Sequence, residues 1–287
     1  VIADLIGSES SYHYQIFHSG TAVNRKSVFI LALVAFCAPL VASAQSIGPI
    51  EVLPHESGVQ KTRYIGKDAT LYNYSWDMKK EGSRINYSAK GDNGKQGAKR
   101  IEWTEKSVME IVPGDVRTLS WVKESSGAEQ QTWKLEYDWT ARKMKYTWTD
   151  RTTGKKDEKT VELSQKAHAG DGMHLLVRGF PFDKGPGAKI SGDFVMTNGQ
   201  VFAATMIFRG EERIETAFGP VDAYKIEFKL GGAIGGLAPK MFTWYTKAAP
   251  HIFLRYEGKD DGLTRPRTVN DLIKYSPEGT IAPAQSK

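Results

Sequence analysis

The sequence predicts a mainly β protein, an antiparallel meander forming a curved sheet or open β-barrel with one short covering helix. Three observations predict it. The dominant hydrophobic period is two, the mark of strands with one buried and one wet face. The spacers between alternating runs are short and turn-like, as in Gly91-Asp92-Asn93-Gly94, Ser125-Ser126-Gly127, Thr153-Gly154 and Asn198-Gly199. Short spacers require antiparallel hairpins, because parallel pairing needs a long crossover. No long helical pattern competes, and these rules give about a dozen strands.

Composition agrees with a packed domain. Hydrophobic residues make up 40% of 287 and charged residues 25%, which excludes a disordered chain, a coiled coil or a collagen. The single cysteine, Cys37, excludes a disulfide scaffold and a zinc site built from cysteines.

Residues 1–44 are expected to be a mis-assigned start followed by a cleaved signal peptide. Arg25 and Lys26 begin a charged region, residues 27–40 (SVFILALVAFCAPL) form an apolar run, and Ala42-Ser43-Ala44 supplies a cleavage pattern. Residues 1–22 have no such character, whereas a start at Val23 gives an ordinary charged region. Phe36 before Cys37 argues against lipidation. The mature chain is then expected to begin at Gln45, to be periplasmic or secreted, and to have no transmembrane segment.

Residues 45–66 carry Pro49, Pro54 and Gly58 with little periodicity and read as a linker or N-terminal arm. Residues 67–276 read as one antiparallel β domain, with a Trp-rich half over 67–165 and a second half over 169–276. Residues 277–287 read as a disordered tail. In the first half, Tyr72, Tyr74 and Trp76 share one parity. Trp133, Leu135, Tyr137 and Trp139 alternate with charged residues, and Met144, Tyr146 and Trp148 do the same. Core packing is the expected role of these aromatics.

In the second half several strands are apolar on both parities. Phe202, Ala204, Met206 and Phe208 face one way and Val201, Ala203 and Ile207 the other; Phe242 and Trp244 oppose Met241 and Tyr245. Two apolar faces need cover on both sides, supplied by the helix, the arm or a bound apolar ligand. The helix is expected over residues 171–180 (DGMHLLVRGF), with Asp171 placed to cap it and Pro181 to stop it.

From Ala169 onward the chain resembles a domain-of-unknown-function family of Gram-negative envelope proteins. The residues that carry the resemblance are a helix with an apolar-Arg-apolar centre (HLLVRGFPF) and a Gly-closed hairpin (FVMTNGQVFAATMIFRGEERI). The Phe-Gly-Pro-Val-x-Ala-Tyr-Lys-Ile strand over residues 218–226 and a closing aromatic strand (MFTWYTKAAPHIFLRYEG) complete it. The resemblance implies a curved antiparallel sheet wrapped around a helix, similar to periplasmic lipoprotein-carrier folds, and implies no catalytic residue.

The densest group of metal-competent side chains is His168, Asp171 and His174, with the last two one helical turn apart. A third and fourth ligand are not identifiable, so a capping Asp171 and solvated histidines are the expected arrangement. Ser120 and Lys123 match a Ser-x-x-Lys spacing, but in a strand residues three apart face opposite ways. No nucleophile elbow, phosphate loop, dinucleotide glycine pattern or His-Glu-x-x-His is present. The Gly-rich segment 231–239 reads as a hairpin connection or a mobile apolar lip. The net charge of +6 is spread among acidic residues, which excludes a nucleic-acid stripe and suits an anionic envelope surface.

The expected function is therefore non-catalytic binding of an apolar or amphipathic, lipid-like ligand between the concave sheet and its cover. The expected lining is Met173, Leu176, Phe180, Phe202, Met206, Ile234, Leu237 and Trp244, with Arg178 for an anionic head group. No cofactor is implied. The alternatives are an envelope interaction module that docks a protein or polymer partner, and an envelope hydrolase or lyase with His168, Asp171 and His174 near its site.

Overall fold

The computed structural model describes residues 47–67, 69–235, 239–259 and 266–278. The first half of the chain gives β1 (His55–Tyr64), β2 (Thr70–Glu81), β3 (Arg84–Asp92), β4 (Ile101–Val112) and β5 (Asp115–Gly127). It continues with β6 (Gln131–Asp138), β7 (Lys143–Asp150) and β8 (Lys156–Glu162). The second half gives β9 (Ala167–Ala169), α1 (Met173–Leu176), β10 (Lys189–Val195), β11 (Val201–Thr216) and β12 (Gly219–Leu230). A single turn α2 (Gly232–Gly235) precedes β13 (Met241–Thr246), β14 (Phe253–Lys259) and β15 (Arg267–Glu278). These strands form one sheet in the order β8-β7-β6-β5-β4-β3-β2-β1-β15-β14-β13-β12-β11-β10-β9. Every neighbouring pair is antiparallel except β9 and β10.

The sheet is a meander whose two ends of chain meet in its middle, where β1 pairs with β15. Its two edges, β8 and β9, are consecutive in sequence but do not pair with each other. The edges nevertheless approach, so the sheet curls into an open barrel. His168 on β9 reaches Asp115 at the start of β5, Nδ1 to Oδ1 2.9 Å. The Asn198-Gly199 turn rests on β7 and β8: a Cβ on Gly199 would lie 2.7 Å from Lys159 Cε and 2.9 Å from Tyr146 Cγ. The charged sequence of β8 (KDEKTVE) is the composition that keeps an edge from recruiting another chain.

β1 corrects the reading of residues 45–66 as a linker or arm. It lies between β2 and β15 and is paired on both sides. Its inward residues are Glu56, Gly58, Gln60 and Thr62, of which Glu56 and Thr62 are fully buried. The alternation is real, but it is polar, so a search for apolar periodicity passes over it. β15 likewise runs two residues beyond the expected domain end at 276.

The helix is shorter than expected. Only Met173–Leu176 is α-helical, and Val177–Gly179 continues as a 3₁₀ turn. Asp171 does not cap it; no side chain does. Instead, its carboxylate accepts hydrogen bonds from Ser107 on β4 and Thr118 on β5. The segment from β9 to residue 182 crosses the inside of the barrel. Gly179 is required there, because a Cβ would come within 2.6 Å of the Gly48 carbonyl oxygen.

The main core lies between α1 and the inner wall and contains Met173, Leu176, Phe180, Phe194, Met206 and Phe228. Burial of each such side chain contributes about 1.5–3 kcal/mol. A second cluster under the Trp-rich half holds Trp121, Leu135, Met144 and Tyr146. The chain itself covers part of the outer apolar face of the second half, around Trp244, while Val201 and Ala203 on β11 remain exposed. β11 and β12 bend at Gly210, which has φ +112° and sits at a register shift in their pairing. Beyond the bend, Ile214 and Ala223 pack on Trp244 and Leu254, and Arg255 on β14 donates to the Glu215 carbonyl of β11 at 2.9 Å.

Candidate functional site

An internal cavity of about 80 Å³ lies between β1, β2 and α1. Its lining mixes apolar side chains, Met78, Met109, Trp121, Leu175 and Phe253, with polar ones, Gln60, Glu105, Asp171, His174, Arg178 and Thr197. Trp76 closes part of it. The Trp76 ring lies flat on β1 at Gly58, where a Cβ would fall 2.7 Å from Cε2 and Cζ2. Trp103 covers Gly91 in the same way. A missing side chain on one strand thus makes room for an indole from the next.

Arg178 and Glu56 form the strongest polar contact beside the cavity. The guanidinium donates from Nη1 to Oε1 at 2.6 Å and from Nη2 to Oε2 at 2.8 Å. Glu56 also accepts from the Leu53 amide at 3.0 Å and from the Tyr275 hydroxyl at 2.9 Å. Burial acts to raise the Glu56 pKa, but the bonds and charge of Arg178 outweigh it and hold the carboxyl below its ordinary value. This corrects the expectation that Arg178 receives an anionic head group. Its planar fork is already filled by a carboxylate of the chain.

His174 hydrogen-bonds through Nδ1 to the Tyr245 hydroxyl at 3.1 Å and packs edge-on against Phe253, ring centres 4.6 Å apart. Burial pushes its pKa far below the ordinary histidine value, so the ring is neutral at physiological pH. Its Nε2 is buried with no hydrogen-bond partner, and so is Nε1 of Trp76. Both residues line the cavity.

Asp171 and His174 line the same cavity, but His168 does not join them, and each of the three has its own partner. His168 is bound to Asp115, Asp171 to Ser107 at 2.7 Å and Thr118 at 2.6 Å, and His174 to Tyr245. Burial raises the Asp171 pKa. The nearby Tyr137 hydroxyl, buried without a partner, is raised by burial and then by the Asp171 charge. Among the described residues no group of three or more histidine, cysteine, aspartate or glutamate side chains could hold a metal ion.

The expected apolar lining divides. Met173, Leu176, Phe180 and Met206 are buried in the main core, and Phe202 packs against it half-buried; their contacts are with the chain itself. Trp244 faces the opposite side of the sheet, in the outer cluster, with its Nε1 donating to Glu212 at 3.3 Å. It is no part of the interior. The side chain of Ile234 and the whole of Leu237 lie outside the described residues. Sequence reasoning missed Gln60 and Trp76. The signal that finds them is the Gly58–Trp76 pairing across β1 and β2, which needs the strand register.

A wider concavity of about 570 Å³ crosses β1 to β5 and is lined by Lys90, Asp92, Glu102, Glu124 and Arg151 beside Trp103. Its charges have local partners: Glu102 meets Arg100 at 2.7 Å and Glu124 meets Arg151 at 3.9 Å. None of the unpartnered buried atoms among the described residues lines it.

No helix among the described residues is long and apolar enough to cross a membrane. Three solved structures are similar at 9% identity, each over 80% of this chain. One is a β-barrel-like protein of a domain of unknown function, DUF1849, from Brucella abortus, with TM-score 0.49 over 100% of its chain. Another is a protein described as exported, with a YmcC-like fold, from Bacteroides fragilis, with TM-score 0.33 over 99% of its chain. The third is a protein described as a lipoprotein from Parabacteroides distasonis, with TM-score 0.27 over 98% of its chain. No curated protein matches the chain. One family model does, over residues 65–261, so the likeness seen from Ala169 onward extends through the Trp-rich half.

Proposed function

Since the chain belongs to the family described as Protein of unknown function (DUF3108), we propose from its own residues that it is an exported envelope protein that binds an amphipathic molecule in its interior without transforming it. Residues 24–44, which lie outside the described residues, support export by their signal-like pattern. The observation that carries the binding reading is the cavity under Trp76, whose lining is part apolar and part polar. It is lined by two residues whose buried ring nitrogens, Trp76 Nε1 and His174 Nε2, have no partner among the described residues. A buried N–H without an acceptor costs free energy, so a ligand that supplies the missing partner binds at an advantage.

The cavity volume matches two to three waters at roughly 30 Å³ each, well below an ordinary ligand pocket. The body of the ligand therefore enters only as the cavity widens. Trp76 is the side chain whose movement widens it, since its ring rests on a glycine and its Nε1 is not tied to the protein. The polar side chains here are engaged in positioning: Asp171 with two hydroxyls, His174 with Tyr245, Arg178 with Glu56. Among the described residues of this cavity no nucleophile stands beside a free base, which favours binding over catalysis.

Native mass spectrometry of the chain purified from its own envelope, with solvent extraction alongside, tests this reading. A co-purifying amphiphile is the expected result. An apo mass together with no uptake of added amphiphiles would overturn it.

A further inference from the structure

Beyond the cavity the inner wall carries a second set of polar side chains. Thr62 on β1 stands directly opposite Asn270 on β15, and Thr268 is two residues from Asn270 on the same face. Thr62, Thr268 and Asn270 are each at most 1% exposed. Four of their atoms, Thr62 Oγ1, Thr268 Oγ1 and both Oδ1 and Nδ2 of Asn270, have no hydrogen-bond partner among the described residues. Gln60, two residues before Thr62 on the same inward parity, lines the cavity, so the set lies beyond the cavity wall, next along β1 and β15.

We infer that Thr62, Thr268 and Asn270 form the subsite for the polar end of the ligand, and that this end is an uncharged group that both donates and accepts hydrogen bonds, a hydroxyl or an amide. The inference rests on the interior-binding reading above. Two hydroxyls and a carboxamide offer donors and acceptors with no net charge. A charged head group here would lose its hydration without a counter-charge, because the ion pair on the same wall, Glu56 with Arg178, is closed on itself. Asparagine is also a poor strand residue. A fully buried one with neither end of its amide satisfied breaks the local rules in the way functional sites do.

The test is a panel of twelve-carbon amphiphiles that share a tail: monododecanoylglycerol, dodecanoate and dodecyltrimethylammonium. Binding is followed by calorimetry on the wild-type chain and on a Thr62→Val/Asn270→Leu double variant, with folding checked by circular dichroism. Monododecanoylglycerol is expected to bind the wild type about tenfold or more tighter than either ion, a difference of about 1.4 kcal/mol. The double variant is expected to lose that preference while its affinity for the ions stays within about twofold. Should the double variant fail to fold, Thr268→Val alone replaces it, with the same loss of preference expected. Equal binding of all three probes to the wild type overturns the inference and leaves the interior-binding reading standing. A folded variant that keeps the wild-type preference also overturns it and makes the set a hydrated structural feature. Binding of none of the probes removes both.

Discussion

Glu56 and Arg178, 122 positions apart in sequence, meet through two hydrogen bonds of 2.6 and 2.8 Å inside the barrel. The Glu56 side chain is wholly buried and that of Arg178 is 7% exposed. The pair ties the segment that crosses the barrel to β1, the strand that pairs with β15 in the middle of the sheet.

Breaking this pair from one side leaves a buried charge unmatched. Arg178→Met is therefore expected to destabilise the protein by about 3–5 kcal/mol, measured by denaturant unfolding. A loss below about 1 kcal/mol, the size of an exposed ion pair, would mean that water reaches Glu56.

Stability should depend on pH through His174 and Glu56. The folded state holds His174 well below its ordinary value of 6.5, so the unfolded chain binds more protons as pH falls through that value. The contribution is present above 6.5 and is lost as acid is added. Glu56, held below 4.5, contributes above that value and loses its contribution below it. Asp171 acts in the opposite sense: its raised pKa gives a contribution fully present below 3.8 that is lost as pH rises through the folded value. Unfolding midpoints from pH 8 to 5 should fall in the wild type and flatten in His174→Phe. A parallel decline in both proteins would assign the effect to another group.

Gly58 is expected to accept no side chain. Valine there meets the Trp76 ring at 2.7 Å, and overpacking of this kind costs about 1–3 kcal/mol. Gly58→Val should also shift the tryptophan emission, because the indole must leave its place. An unchanged spectrum with unchanged stability would show that the ring does not rest on β1.

Trp244 separates the outer cluster from the interior. Trp244→Ala should cost about 3–5 kcal/mol, because the bent hairpin beyond Gly210 loses what it packs against. Affinity for an interior ligand should stay within about twofold in the folded variant. A large fall in affinity would return Trp244 to the lining.

Much of the fold was legible in the alternation. Tyr72, Tyr74 and Trp76, the paired runs over β6 and β7, and the turn at Asn198-Gly199 all stand where period and turn chemistry put them. The double-sided apolar pattern around Trp244 correctly required cover on both faces. β1 was hidden because its buried residues are Glu56, Gly58, Gln60 and Thr62, which satisfy a polar interior that no single strand reveals. The helix was overextended because Asp171 looks like a cap in one dimension, whereas its partners, Ser107 and Thr118, come from strands more than fifty residues away.

By itself the sequence determined the fold class, the antiparallel order of most neighbouring strands and which apolar side chains share a face of their strand, because these depend on contacts a few residues apart. The tertiary structure alone decided that β1 joins β15, that Arg178 is paired with Glu56, that Trp244 looks outward, and that His168 stands apart from the cavity that Asp171 and His174 line. Each of these depends on which distant strand faces which. That choice is made by the curl of the whole sheet around the crossing segment, a property that no local pattern carries.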